Sequence, residues 1–419
     1  NSWVVEIKIP YAALRFSNTN IQTWGINFHR RINNLNEQYV WNYIDKKVGE
    51  ITQYSGEITG IKDIKPPTRL SFSPYASSSF TTFDGDSEFN TNLGMDLKYG
   101  INESFTLDAT LIPDFGQTAF DDQVLNLGPF EQRYKEKRAF FTEGTELFDK
   151  GSLFYSRRIG NAPVNYESIQ ENLNEDEELI TNPYKVNMLN AVKISGRTKK
   201  GLGIGVFNAI TEKTSATIKN NATGKTREEV TEPLANYNLL VLDQQFNKNS
   251  SVSLVNSNVL REGNFRDANV TALLFDISDK QNKFNIMGNY KLSNVSEFGL
   301  NTNGYSTFIE IGKRSGNVQY EIGHWRVNDS YDIKDLGFQS RNNLANYYSK
   351  LSYQIFEPTK TLNDFRITFE NEFRYQNNPN KYSGNNFEIN ARFITLKRLA
   401  FGGKIESSIG KQNDFYEPR

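Results

Sequence analysis

Phe365, Ile367, Phe369, Phe373 and Tyr375 share one parity of a short segment, and Arg366, Thr368, Glu370, Glu372 and Arg374 take the other. Side chains of a β-strand point alternately to its two faces, so such a segment is apolar on one side and wet on the other. The pattern recurs. Phe105, Leu107, Ala109 and Leu111 oppose Thr106, Asp108 and Thr110; Phe387, Ile389, Ala391 and Phe393 oppose Glu388, Asn390 and Arg392; Phe284, Ile286 and Tyr290 oppose Lys283, Asn285 and Lys291. Residues 186–194 and 237–245 alternate less cleanly. From Arg69 onward we count about fifteen candidate strands of roughly 9–13 residues, near the length a tilted strand needs to cross a bilayer.

Connection lengths narrow the choice further. Short turns are expected at 100–103, 196–201, 246–250, 278–281, 314–317, 357–363 and 395–398. Long connections are expected at 81–91, 113–183, 211–233, 293–302, 328–343 and 376–385, and the short link at 261–266 is the exception. Short and long connections that alternate are the mark of an outer-membrane barrel, with tight periplasmic turns and longer outer loops. A soluble sandwich has no reason to keep that parity.

A mean hydropathy of −0.61 with 13% aromatic residues fits the same architecture. The chain is too polar for one large dry core and too aromatic for disorder. A membrane barrel combines both properties, since inward positions face water and aromatic girdles mark the interfaces. No stretch of eighteen apolar residues exists to make a membrane helix. The net charge of −1 gives no electrostatic case for nucleic acid. With no cysteine there are neither disulfides nor thiolate metal sites, and two histidines, His29 and His324, are too few for a histidine-based metal site or proton relay. Neither a cofactor nor a metal is expected.

Residues 112–160 do not alternate. Charge and aromatic residues mix there, as in Tyr134-Lys135-Glu136-Lys137-Arg138-Ala139-Phe140-Phe141 and Phe154-Tyr155-Ser156-Arg157-Arg158. A long connection with that aromatic content reads as an ordered insertion rather than a disordered linker. On the loop parity it emerges at the outer mouth and folds back as a plug; 112–184 is its expected extent. Residues 1–64 form a separate unit of strands and turns, closed off by Pro66-Pro67, with 65–419 the barrel. Both ends read as interior to a longer protein, so the barrel is expected to be incomplete.

The residues also resemble a known family. Leu97-Lys98-Tyr99-Gly100, Thr106-Leu107-Asp108-Ala109-Thr110, Pro113-Asp114-Phe115, Glu136–Gly144 and Tyr155–Gly160 look like the opening of a large outer-membrane barrel domain of unknown function from Bacteroidetes-type bacteria, and 414–419 resembles a later segment of that barrel. The resemblance implies an all-β fold and the bacterial outer membrane. Such barrels commonly follow a domain similar to the family 9 carbohydrate-binding module. Trp3–Pro10 and 22–32 resemble the last strands of that β-sandwich, here expected on the periplasmic side.

Candidate site residues follow. Trp24 and Trp41 offer flat faces for a sugar ring, with Arg30 as a hydroxyl partner; the alternative is that both are core aromatics. Lys137, Arg138, Arg157 and Arg158 are expected to pair with Asp121, Asp122, Glu143 and lumen charges, pinning the insertion. The carboxylates Asp114, Asp121, Asp122, Glu131, Glu136, Glu143 and Glu146 admit a hydrolytic pair only if two lie about 5–10 Å apart; no catalytic residue is assigned. The acidic run 171–178 lacks calcium-loop spacing. Gly201-Leu202-Gly203-Ile204-Gly205 has no following helix and is not a nucleotide loop. Lumen-facing Arg366, Glu370, Glu372, Arg374, Arg392, Lys404 and Glu406 either set pore selectivity or satisfy each other. The expected function is binding or passage of a glycan-related or other bulky solute without chemistry. The alternatives are a surface glycoside hydrolase and an outer-membrane scaffold that assists secretion or assembly. Expected partners are outer-membrane lipid and an oligo- or polysaccharide.

Overall fold

The computed structural model describes residues 4–11, 14, 16, 19–35, 37–45, 54–65, 69–83, 86–113, 121, 123–247 and 249–416. In the N-terminal part, strand β1 (Ile21–Ile26) pairs with β4 (Gly56–Lys62), and β2 (His29–Ile32) with β3 (Glu37–Val40). Next come β5 (Leu70–Phe83), β6 (Asp86–Gly100), β7 (Phe105–Leu111), β8 (Glu177–Thr181), β9 (Met188–Arg197), β10 (Leu202–Thr211), β11 (Thr214–Asn220) and β12 (Thr226–Glu232). The chain continues through β13 (Ala235–Phe246), β14 (Ser250–Arg261), β15 (Asp267–Ser278), β16 (Phe284–Glu297), β17 (Leu300–Lys313), β18 (Val318–Val327), β19 (Leu344–Ile355), β20 (Leu362–Gln376), β21 (Lys381–Thr395) and β22 (Ala400–Ile409).

Fifteen of these form one antiparallel sheet in chain order, from β5 to β22, which skips only β8, β11 and β12. The three skipped strands make a small sheet of their own, in the order β12-β11-β8. Apart from those two skips, β7 to β9 and β10 to β13, each strand of the large sheet pairs with its neighbour in sequence, the meander of an up-and-down barrel wall. Among the described residues β5 and β22 do not pair, so the wall is open. No helix among the described residues is long and apolar enough to cross a membrane, which says nothing of strands.

Three connections are long, 112–187, 212–234 and 328–343, and all three leave the same end of the sheet. At the other end every link is short. The expected parity therefore holds, with corrections. Residues 81–83, 86–91, 293–302 and 376–385 are mostly strand: the strands run on to Phe83, Glu297 and Gln376, and their partners begin at Asp86, Leu300 and Lys381. The hydropathy pattern fades there although the ladder hydrogen bonds continue. The link 212–234 is likewise mostly β11 and β12, which pack Ala216 and Ile218 on Ile169.

The irregular alternation of β9, β10 and β13 has a physical cause. Outward positions such as Val206 and Leu240 are apolar and exposed, yet the inward Ala191, Phe207, Ala209, Tyr237, Leu239 and Val241 are apolar and buried. They form one cluster with Phe141, Leu147, Phe148, Leu153 and Ile159 of the insertion, and with Val255, Val259, Val270, Ala272, Val327 and Leu344 further along the wall. Inward positions were expected to face water; over β9–β15 the interior is instead largely a dry, packed core. The clean alternation of β20 and β21 holds where no such core forms: Phe369 and Ile389 point outward while Glu370 and Glu388 point inward.

Candidate functional site

The insertion lies against the concave face of the sheet and is seated by size as much as by charge. A Cβ on Gly205 would lie 3.1 Å from the Phe148 ring, and one on Gly203 would lie 2.9 Å from Leu147. The glycine run 201–205 is thus a notch in the wall that admits two bulky side chains. Phe148 is 1% exposed there, within reach of Phe207 and Phe154 at ring separations of 6.4 Å.

Polar anchors surround this apolar seat. The Glu136 carboxylate takes a bidentate hydrogen bond from Arg138 (2.9 and 2.7 Å) and one from the Ser156 hydroxyl at 2.5 Å. Burial alone would raise its pKa, but the Arg138 guanidinium and these hydrogen bonds bring it down to about 2. It therefore stays ionised at any ordinary pH. Arg138 also donates to the carbonyls of Ser156 and Ile159 and stacks over Phe141 at 4.3 Å. Arg157 grips Asp121 bidentately at 2.6 and 2.8 Å, with Lys137 3.7 Å from the same carboxylate. Arg158 grips Glu131 at 2.8 and 2.6 Å and donates to the Gly337 carbonyl of the connection 328–343. Glu143 pairs with Lys98 of β6. Asp122 and Asp114 lie outside the described residues. Of the seven carboxylates named above, the other five each face a cation, Glu146 through Arg197 at 3.4 Å.

The wall supplies anchors that the sequence reading missed. Asp243 of β13 is fully buried and takes Arg197 at 2.7 Å, Lys150 of the insertion at 3.1 Å and the Ser253 hydroxyl at 2.6 Å. Lys193 donates to the carbonyls of Phe140 and Glu143, and Lys291 to that of Gly151 at 2.6 Å. Nothing in the sequence marks these charges among the other polar residues of their strands.

The opposite part of the wall, β18–β22, is polar on its concave face. Glu321, Lys350, Glu370, Glu388 and Glu406 are direct cross-strand neighbours on five successive strands. Like charges placed opposite each other repel. Lys404 lies 3.0 Å from Glu388 and 3.1 Å from Glu406, and Lys350 lies 3.2 Å from Glu370, so the rung is only partly neutralised. A cavity of about 390 Å³ opens along it, also lined by Tyr348 and Glu372. Arg366 and Arg392 face each other on β20 and β21, and Arg374 bonds Asn386 and Gln412.

A family model described as Domain of unknown function (DUF5916) matches residues 66–419. The chain belongs to that family. No curated protein matches the chain. Among solved structures, it is similar to three Pseudomonas aeruginosa proteins. OccK5 (OpdH) is 10% identical over 84% of this chain and 83% of its own, with a TM-score of 0.33. The outer membrane protein opdK is 10% identical over 83% and 85%, with a TM-score of 0.34. OccK8 (OprE) is 9% identical over 84% and 86%, with a TM-score of 0.36.

In this family member the sugar-site candidates sit apart from the insertion, in the N-terminal part. Trp24 is half-buried, edge-on to Tyr11 at 6.1 Å and tilted on Phe16 at 5.5 Å. That is the packing of a core aromatic. Trp41 is 61% exposed and rests on Phe28 and Gly56. Arg30 is exposed on β2, opposite Tyr39 of β3. Glu37, at the start of β3, takes Arg398 of the turn between β21 and β22 at 2.5 Å, so the N-terminal part touches the sheet at its short-turn end.

Proposed function

We propose that the chain is the wall and internal plug of an outer-membrane barrel that passes a solute along the polar side of its lumen. The observation that carries this reading is the asymmetry of the interior. On β9–β15 the insertion is fixed by a dry apolar core and buried ion pairs. On β18–β22 the concave face is charged, wet and unfilled by the insertion. Passage then needs no displacement of the plug, only the gap beside it. The outward faces of β18–β22 support placement in a bilayer, with Ile322, Tyr347, Leu351, Phe369 and Ile405 exposed. The Glu37–Arg398 contact supports an N-terminal unit on the periplasmic side, where barrel turns are short.

The carboxylate rung favours cations and hydroxyl-rich solutes, since a carboxylate attracts the first and accepts hydrogen bonds from the second. A glycan-related solute is the finer reading, supported by the open face of Trp41 at the short-turn end. The full-length protein in planar bilayers is expected to give discrete, cation-preferring conductance steps. Glu388→Lys should lower the cation-to-anion permeability ratio several-fold, read as a shift of the reversal potential in a salt gradient. Absent steps, or an unmoved reversal potential, would overturn the passage along this wall.

A further inference from the structure

Six consecutive strands of the large sheet each place an asparagine on one rung. Asn208 faces Asn238, Asn238 faces Asn258, Asn258 faces Asn269, Asn269 faces Asn294, and Asn294 faces Asn303. All six point outward, because their neighbours Phe207, Leu239, Val259, Val270 and Val295 are buried in the interior and Gly304 backs onto Tyr331. Their amides bond sideways along the wall. Asn208 donates to Asn238 at 2.9 Å and to Asn236 at 2.6 Å, Asn256 donates to Asn269 at 3.2 Å, and Asn294 donates to Asn303 at 2.7 Å. On the short-turn side of the rung the outward positions turn apolar: directly at Val206, Leu240 and Leu292, one position further at Leu254 and Leu273, and past Tyr305 and Thr307 at Ile309. Asn256 and Thr271 stand between and bond each other at 2.8 Å.

We infer that this rung is the docking surface for the headgroup layer of the surrounding bilayer, on the side of the long connections. The inference rests on the membrane reading above. Three observations select that occupant. The rung borders the exposed apolar surface directly on three strands and within a few residues on the other three, so whatever covers one meets the other. Its groups are neutral amides, which offer donors and acceptors together and suit hydroxyl, ester and water rather than one charge. Each amide also keeps bonding capacity beyond its neighbours, which acyl chains leave unsatisfied at a cost. The asparagines therefore mark where hydrocarbon ends, in the place an aromatic girdle commonly occupies.

The protein contains no cysteine, so single thiols are clean probe sites. Leu273→Cys and Asn258→Cys, with Asn238→Cys as a second rung position, would each carry a fluorophore in the full-length protein. The protein would be reconstituted in phosphatidylcholine vesicles with nitroxides either on the choline headgroup or deep in the acyl chain. The label at 273 is expected to be quenched several-fold more by the deep nitroxide, and those at 258 and 238 several-fold more by the headgroup nitroxide. With 273 behaving so, deep quenching at 258 and 238 would overturn the rung as a headgroup contact. Absence of quenching there by either lipid would also overturn it and point to coverage by a second protein copy. Failure of deep quenching at 273 would overturn the membrane reading itself, and with it this inference.

Discussion

Phe148→Ala is expected to weaken the folded state by about 3–5 kcal/mol, the usual cost of truncating a fully buried phenylalanine. Phe148 enters the notch at Gly205 and joins Phe154 and Phe207, so its removal leaves a cavity between insertion and wall. The glycine backbone on the wall side cannot follow it inward without breaking ladder bonds to β9 and β13. The cavity therefore stays open, and the loss lies toward the upper end of the range. Gly205→Leu attacks the same seat from the other side, since even a Cβ there stands 3.1 Å from the ring. Both variants should lower the urea concentration at which the folded form is lost on unheated gels. An unchanged midpoint for both would mean that the insertion does not pack on the wall at this notch.

Asp335→Ala is expected to cost about 3 kcal/mol locally, because it leaves buried arginines short of a partner. Asp335 takes Arg261 at 2.9 Å and Arg266 at 2.8 Å, while Glu232 holds Arg261 at 2.9 Å and Asp332 holds Arg266 at 2.8 Å. The side chains of Arg261, Glu232 and Asp335 are nearly dry. This knot fixes the connection 328–343, which sends Tyr331, Ile333 and Leu336 into the interior core. A Cβ on Gly304 would stand 2.2 Å from the Tyr331 Cα, so β17 is bare where that connection crosses it. Loosening the knot should raise backbone hydrogen exchange across 328–343 roughly a hundred-fold, the factor about 3 kcal/mol corresponds to. The insertion should loosen with it, since Tyr155 donates to the Leu336 carbonyl at 2.7 Å. Exchange that stays at the wild-type rate would show that Asp335 does not hold the connection.

The alternation of residues 365–375 and 387–393 was legible because one face is apolar and turned outward while the other is polar and turned to the interior. The same rule misled for β10 and β13, where the outward face is apolar and exposed and the inward face, packed on the insertion, is apolar too. Strand ends at 81–91, 293–302 and 376–385 were read as loops because only hydropathy was visible. The hydrogen-bond ladder that carries them on leaves no compositional trace. Charged residues of the insertion stood out because Arg157 and Arg158 lie among aromatics, and the structure gives each a bidentate acid. The carboxylate rung and the asparagine rung were illegible for one reason. Each exists only once cross-strand register is set, and register couples residues that are unremarkable one strand at a time. Asp243 is shown to be an anchor only by its three partners from separate segments, Arg197, Lys150 and Ser253.

Thiol reactivity of single cysteines in the vesicle-embedded, full-length protein tests the divided interior most directly. Small water-soluble maleimide should label Glu370→Cys quickly, Val241→Cys very slowly, and Leu351→Cys only after detergent replaces the bilayer. Equal rates at 241 and 370 would contradict a dry seat beside a wet passage, and rapid labelling at 351 in intact vesicles would contradict the lipid-facing wall.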